Sequence, residues 1–244
     1  VKERVEFGEN NEEKYSLKEM LQFLRYKPIW AAFAATLIVG TGSSIAGGAG
    51  AYFYTYVLGD MKLMSGVSII GLIASLVGIV MGPYLANRFG KKTVYLTAVI
   101  ISTALNLLRL LDVTSMILIY ISALIGGVAG GWTVPVSTSI QADNTTYVQY
   151  KTGKRAEAAI ASLTSFVSKV AQGLGGAIPG YVIAAYGFVT GASVQPESIN
   201  TGIILCALIL PLIFGILGSL IFGTQYTLDQ KAVIEMDAKI NRNN

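Results

Sequence analysis

The sequence predicts an all-α polytopic membrane protein, six transmembrane helices with a short amphipathic helix at each end. Three observations predict it. Apolar residues make up 53% of the chain and charged residues only 13%, against about 25% charged in soluble domains. Six apolar runs, each long enough to cross a hydrocarbon core of roughly 30 Å, are separated by short polar connections. The runs lack the alternation of barrel strands, and only helices or closed barrels satisfy their backbone in lipid.

Taken in order, residues 1–27 form a connector. Its first eleven residues mix acids and bases with few apolar side chains. Ser16 is placed to cap a helix and Glu19, three residues on, to reach back. Leu17, Met20, Leu21 and Leu24 follow at helical spacing, a pattern that suits a membrane surface or another protein domain equally. Residues 28–226 carry the spans: Pro28–Leu58, Met64–Ala86, Thr93–Leu111, Thr114–Gln141, Ala156–Tyr186 and Thr201–Phe222. Residues 227–244 form a tail with Val233, Met236 and Ile240 on one helical face. No basic segment with a short apolar run and cleavage site opens the chain, so no signal peptide is expected. The connector-like start at Val1 is expected of a piece of a longer protein.

Charge gives orientation. Lys2, Arg4, Lys14, Lys18, Arg25 and Lys27 precede the first span; Arg88, Lys91 and Lys92 follow the second; Lys151, Lys154 and Arg155 follow the fourth; Lys231, Lys239 and Arg242 lie in the tail. The other side offers Lys62 and Arg109. Both termini are therefore expected in the cytoplasm of a multi-pass plasma-membrane protein. The net charge of +4 is spread between apolar runs, not clustered, so no nucleic-acid partner is expected. With no His, one Cys and no nucleophile–base pair among the apolar runs, neither an enzyme nor a Cys/His metal site is expected.

Within the fifth run, Ser162, Ser165, Lys169 and Gln172 recur at intervals of three and four, so they share one helical face with Gly173, Gly176 and Gly180. Lys169 lies about 18 Å along the helix from Glu157, near mid-membrane. A lysine there costs several kcal/mol unless paired or hydrated, which makes it a functional candidate; snorkelling or neutralising an acid for structure is the plainer role. Gly78–Gly82, Gly126–Gly130, Gly127–Gly131 and Gly176–Gly180 predict close helix packing. Pro135 and Pro179 fall in corresponding halves if the six helices are three plus three. Arg109 and Asp112 are placed to pair at the outer surface, and Asn106 shares a face with Arg109.

Tyr84-Leu85-Ala86-Asn87-Arg88-Phe89-Gly90-Lys91-Lys92 resembles the cytoplasmic signature of the major facilitator superfamily, with Tyr84 in place of its Gly and Asn87 in place of its Asp. Tyr52–Asp60, Lys169 and the stretch Asp143-Asn144-Thr145-Thr146-Tyr147-Val148-Gln149-Tyr150-Lys151-Thr152-Gly153-Lys154-Arg155 narrow the match. Together they resemble the carboxyl-terminal half of the glycoside–pentoside–hexuronide:cation symporters. Asp143, Tyr147, Lys151, Gly153 and Arg155 fit that family's inner-loop pattern, whereas Thr146 and Gln149 replace two of its acids. The resemblance implies twelve spans in two bundles with a sugar between them, an amino-terminal six-helix half as partner, and alternating access. It implies an inner gate at Asp143, Tyr147, Lys151, Arg155 and Arg88, and a substrate or coupling role for Lys169.

A sugar needs hydrogen-bonding groups and an aromatic face. Gln172, Ser165 and Thr41 are candidates for the first and Trp132 for the second; Ser and Thr hydroxyls can equally bond their own helix. Tyr52, Tyr54 and Tyr56 suit an aromatic belt. No Asp or Glu lies deep in a span. A coupling Na+ or H+ is then expected to bind in the other half, and no resident cofactor is expected. A self-contained six-helix oligomeric pore or receptor, and a major facilitator half for a non-sugar solute, remain the alternatives.

Overall fold

The computed structural model describes residues 17–154, 156–192 and 194–243, and every regular element among them is helical. A short helix α1, Leu17–Gln22, and a 3-10 turn lead into α2, Lys27–Val57. Then follow α3, Lys62–Phe89; α4, Lys91–Arg109; α5, Met116–Thr152; α6, Glu157–Ala185; α7, Ser198–Gln225; and α8, Gln230–Asn243. The expected cap Ser16 lies outside the described residues. The six apolar runs are all helical, with one extension. The fourth does not stop near Gln141 but continues to Thr152, because no breaker intervenes before Gly153, whose φ of 71° ends it. The polar stretch from Asp143 is therefore helix, held by the buried Val148. α2, α3, α5 and α7 are long and apolar enough to cross a membrane. In α4 and α6 the interspersed Lys, Asn, Ser, Gly and Gln dilute the apolar character.

The helices stand in an arc ordered α3–α5–α4–α7–α2–α6, each packed mainly on its neighbours in that order. Exchanging the first three long helices with the last three (α2 with α5, α3 with α6, α4 with α7) reverses the order and leaves every neighbour pair unchanged. Two glycine-rich contacts occupy equivalent places in the arc. Between α3 and α5, a Cβ at Gly78 meets the Val128 carbonyl oxygen, one at Gly131 meets that of Ser75, and one at Gly82 meets Pro135 Cγ at 2.6 Å. Between α2 and α6, a Cβ at Gly175 meets the Thr41 carbonyl oxygen at 2.6 Å and one at Gly48 meets Pro179 Cγ at 3.1 Å. Pro135 and Pro179 thus seat against glycines across the two equivalent contacts, and the helices continue through both. Backbones this close gain dispersion contacts that side chains would hold apart.

The expected glycine pairs divide. Gly78, Gly82, Gly127 and Gly131 are at the α3–α5 contact; Gly176, Gly180 and Gly130 meet nothing within 4 Å, and Gly126 meets only Leu105 at 3.4 Å. On α6 it is Gly175, one residue away from the expected face, that lies against α2. Packed clusters lie at both ends of the bundle along the helices. One end, marked by Lys91, Lys92 and Lys151, is called the basic end here; Arg109 marks the other. At the basic end, Phe23 packs with Ile29, Val148 and Ile160, and Val233 and Met236 of α8 pack on Val136, Ile140 and Tyr226. The helix before α2 and the helix after α7 therefore both rest on the bundle.

Replacing Gly78 or Gly131 by Val is expected to destabilise the protein by about 2 kcal/mol or more, since the contact is backbone and cannot yield. Gly66→Ala, where a Cβ meets nothing within 4 Å, is expected to be neutral or stabilising by up to about 1 kcal/mol. Thermal unfolding of the detergent-purified variants measures both.

Candidate functional site

α2 and α5 face one another across the arc without packing together, and α4 and α7 close the floor between them. The gap is a trough. Its volume is about 320 Å³ in the basic half, about 160 Å³ at the middle and about 240 Å³ at the Arg109 end. The first two share Val39, Val99 and Thr133, and the last two share Ser102 and Asn106, so the three cavities adjoin end to end.

The lining follows from helical periodicity. Ile119, Ser122, Gly126, Gly130, Thr133, Ser137, Gln141 and Asn144 recur at three and four along α5, and all line the trough. Thr36, Gly40 and Ser43 do the same along α2. Thr36, Thr133, Thr138 and Thr164 donate to carbonyls of their own helices, at 2.8, 2.6, 3.1 and 2.8 Å, which leaves their oxygens free to accept. The Asn144 Oδ1 atom is buried with no donor on it. The floor of the basic half is aromatic: Tyr95 and Phe222 have ring centroids 4.6 Å apart. Neutral donors and acceptors over an aromatic floor fit a polyhydroxylated solute.

Of the residues picked out by sequence, Ser165, Lys169 and Gln172 are exposed on a face of α6 that does not pack on α2. Their neighbours Thr164 and Ser168 line the trough. Among the described residues Lys169 has no hydrogen-bond or ion-pair partner. Thr41 is buried and donates to the Leu37 carbonyl at 2.7 Å, beside Gly175 of α6. Trp132 packs toward the basic-end core, with its backbone against Gly82 of α3 and its indole N–H buried and unpartnered. The pairing of Arg109 with Asp112 does not form: Asp112 Oδ1 accepts from the Thr114 amide at 3.0 Å and hydroxyl at 2.9 Å, a local turn that competes successfully for it. Arg109 lies instead over the Phe53 ring, 5.0 Å from its centroid. Tyr52 stacks on Tyr56 and meets Phe188 edge-on, while Tyr54 reaches the trough end.

At the basic end the turn at Gly90, φ 84°, launches α4 with two lysines inward. Lys91 Nζ donates to Asp143 Oδ1 at 2.6 Å, with little of either side chain exposed. Lys92 Nζ donates to the Tyr226 carbonyl at 2.7 Å. α4 is thereby tied to α5 and to the end of α7. Burial pushes the Tyr226 hydroxyl above its ordinary range, and the Asp143 carboxylate adds to it, so the buried, unpartnered hydroxyl stays neutral. Tyr147 meets Tyr26 edge-on at 5.7 Å. Lys151 lies over the Tyr147 and Tyr150 rings, and Lys239 over Tyr150 from α8. Arg88 stays on its own helix, 3.4 Å from the Tyr84 hydroxyl and over Phe89. Arg155 lies outside the described residues. Sequence reasoning missed Lys91 as the partner of Asp143, and missed Ser137, Gln141 and Asn144, although the α5 stripe is as regular as the one on α6.

The family model described as MFS/sugar transport protein matches residues 1–230. An uncharacterized symporter, YjmB, of Bacillus subtilis (strain 168) is 30% identical over 242 residues, covering 97% of this chain and 52% of the relative. A glucuronide carrier protein homolog of Escherichia coli (strain K12) is 29% identical over 231 residues, 91% of this chain and 50% of the relative. A putative sulfoquinovose importer of the same strain is 24% identical over 226 residues, 93% of this chain and 48% of the relative. The chain spans about half the length of these curated relatives.

Lys91→Met is expected to destabilise the protein by about 3 kcal/mol, because it strands a mostly buried carboxylate. Adding Asp143→Asn to it is expected to recover most of that loss. A double-mutant cycle on unfolding midpoints measures the coupling, and additive losses would show that the pair is not coupled.

Proposed function

The chain belongs to the MFS/sugar transport protein family, and we propose on that premise that it is the carboxyl-terminal six-helix bundle of a twelve-helix, cation-coupled sugar transporter of the plasma membrane. The observation that carries the reading is the trough between α2 and α5, which carries hydroxyls and amides along an apolar wall and a single charge, Arg109, at one end. α3 and α6 stand at its two margins with largely exposed faces, and a second bundle closing over that side would enclose the trough as a cavity between halves. Six spans are part of the proposal: α4 and α6 join the four strongly apolar helices because a bundle supplies their polar residues with partners other than lipid. The excess of Lys and Arg at the basic end supports a cytoplasmic position for that end and for both termini.

Rocking of the two bundles would expose the trough to one side of the membrane and then the other. Its hydroxyls and amides replace water around the sugar, and Tyr95 offers the apolar floor. Lys169, with Ser165 and Gln172, faces the second bundle in this reading, where its charge senses carboxylates that take the coupling cation. Asp143, Tyr147, Lys151, Arg155 and Arg88 form the inner gate, with the Lys91–Asp143 pair as its fixed anchor.

Vesicles holding this chain with an amino-terminal six-helix half are expected to accumulate a sugar, and Ser137→Trp, which fills the trough, to lower uptake at least about tenfold. Lys169→Ala is expected to abolish accumulation against a gradient while leaving sugar exchange. Ion conductance from this chain alone, with no sugar moved by either sample, would remove the transporter reading in favour of an oligomeric pore.

A further inference from the structure

The trough ends at a guanidinium that has no carboxylate partner among the described residues. Arg109 closes α4, and Ser102, Asn106 and Arg109 follow at four and three, so one face of α4 floors the whole Arg109-end cavity. Tyr54 and Ser122 stand over that cavity from α2 and α5. Among the described residues no carboxylate binds Arg109. Asp112 is held by Thr114, and Asp60 accepts from the Lys62 amide at 2.8 Å. Phe53 covers one face of the guanidinium, and its Nε is buried without an acceptor. A charge at a helix end has a structural use, since it complements the carboxyl-terminal dipole. That use does not require a stacked guanidinium with a donor turned out of water. A stacked guanidinium keeps its N–H edge free, and that edge matches the two oxygens of a carboxylate or sulfonate.

We propose that Arg109 is the subsite for the acidic group of an anionic sugar, a carboxylate or sulfonate. The hydroxyls of that sugar lie along Ser102 and Asn106 toward Thr133 and Ser137. The Arg109-end and middle cavities adjoin at Ser102 and Asn106, and that adjacency is what ties the anion to a sugar and not to a free ion. The inference rests on the sugar-transport reading and adds the charge class of its substrate. The same guanidinium edge also suits a carboxylate side chain of the second bundle, and the experiment separates the two.

The probes are methyl β-glucuronide and methyl β-glucoside, which differ only in having a carboxylate or a CH2OH on the same ring. Binding and uptake are measured in proteoliposomes holding this chain with its six-helix partner, for the unaltered protein, Arg109→Gln and Arg109→Lys, each first shown monodisperse. The unaltered protein is expected to bind the glucuronide more tightly. Arg109→Gln is expected to weaken glucuronide binding about tenfold or more and to leave glucoside binding within about twofold, with Arg109→Lys between. Equal losses for both sugars, or no loss for the glucuronide, would overturn the subsite. So would a lower unfolding temperature of the assembled halves with the preference intact, the mark of an acid from the other bundle. Uptake of the glucoside without preference would overturn this inference alone; uptake of neither sugar by the unaltered protein would overturn the sugar reading and the inference with it.

Discussion

The close approach of α3 to α5, and its counterpart between α2 and α6, sets the shape of this bundle. A Cβ at Gly78 or Gly131 would run into a backbone carbonyl of the facing helix. With those two pairs drawn tight and α4 and α7 packed behind, α2 and α5 are left facing one another across the arc. They stand apart, and the space between them is the trough. The cavity is thus a consequence of where the small residues are, and its polar groups of where the hydroxyls and amides fall on the α5 face that lines it.

Electrostatics then divides the trough into ends. At the basic end the charges are matched: Lys91 is spent on Asp143 and Lys92 on a backbone carbonyl, while Lys151 and Lys239 lie on tyrosine rings. These contacts tie α4, α5, α7 and α8 together where the chain leaves the bundle. At the other end Arg109 lies over the Phe53 ring, with no carboxylate on it among the described residues. The middle carries no charged lining residue, so under the proposed function a solute there would be recognised through hydrogen bonds. That asymmetry supports transport of a sugar better than conduction of an ion, for which a charged or carbonyl-lined constriction is the usual device.

Much of this was legible in the sequence, and the part that was not has physical reasons. Apolar run length located all six long helices. It missed the last eleven residues of α5 because Asp143–Thr152 is polar in composition, and only the absence of a breaker before Gly153 betrays it. Glycine spacing named Gly78, Gly82, Gly127 and Gly131 correctly. The same spacing at Gly176 and Gly180 points to open space, since periodicity gives a face but not what stands opposite. For the same reason the α6 stripe at Lys169 drew attention while the equal stripe through Ser137, Gln141 and Asn144 did not: a lysine is conspicuous, and the arrangement of neighbours that makes the α5 stripe the lining is tertiary. Arg109 and Asp112 have the spacing of a pair, yet the turn at Thr114 binds the acid first.

The central claim is that the α5 face from Ser122 to Asn144 meets water and solute. The most direct measurement replaces the one native cysteine, Cys206, by Ala and places single cysteines at Ser122, Ser137 and Gln141, and at Ile125 and Val134 on the other faces of the helix. Each is then exposed to a water-soluble thiol reagent in proteoliposomes holding both halves. The account requires rapid labelling at Ser122, Ser137 and Gln141, slowed by sugar, and little at Ile125 and Val134. Equal, sugar-insensitive labelling around the helix, or none at the three trough positions, would contradict it.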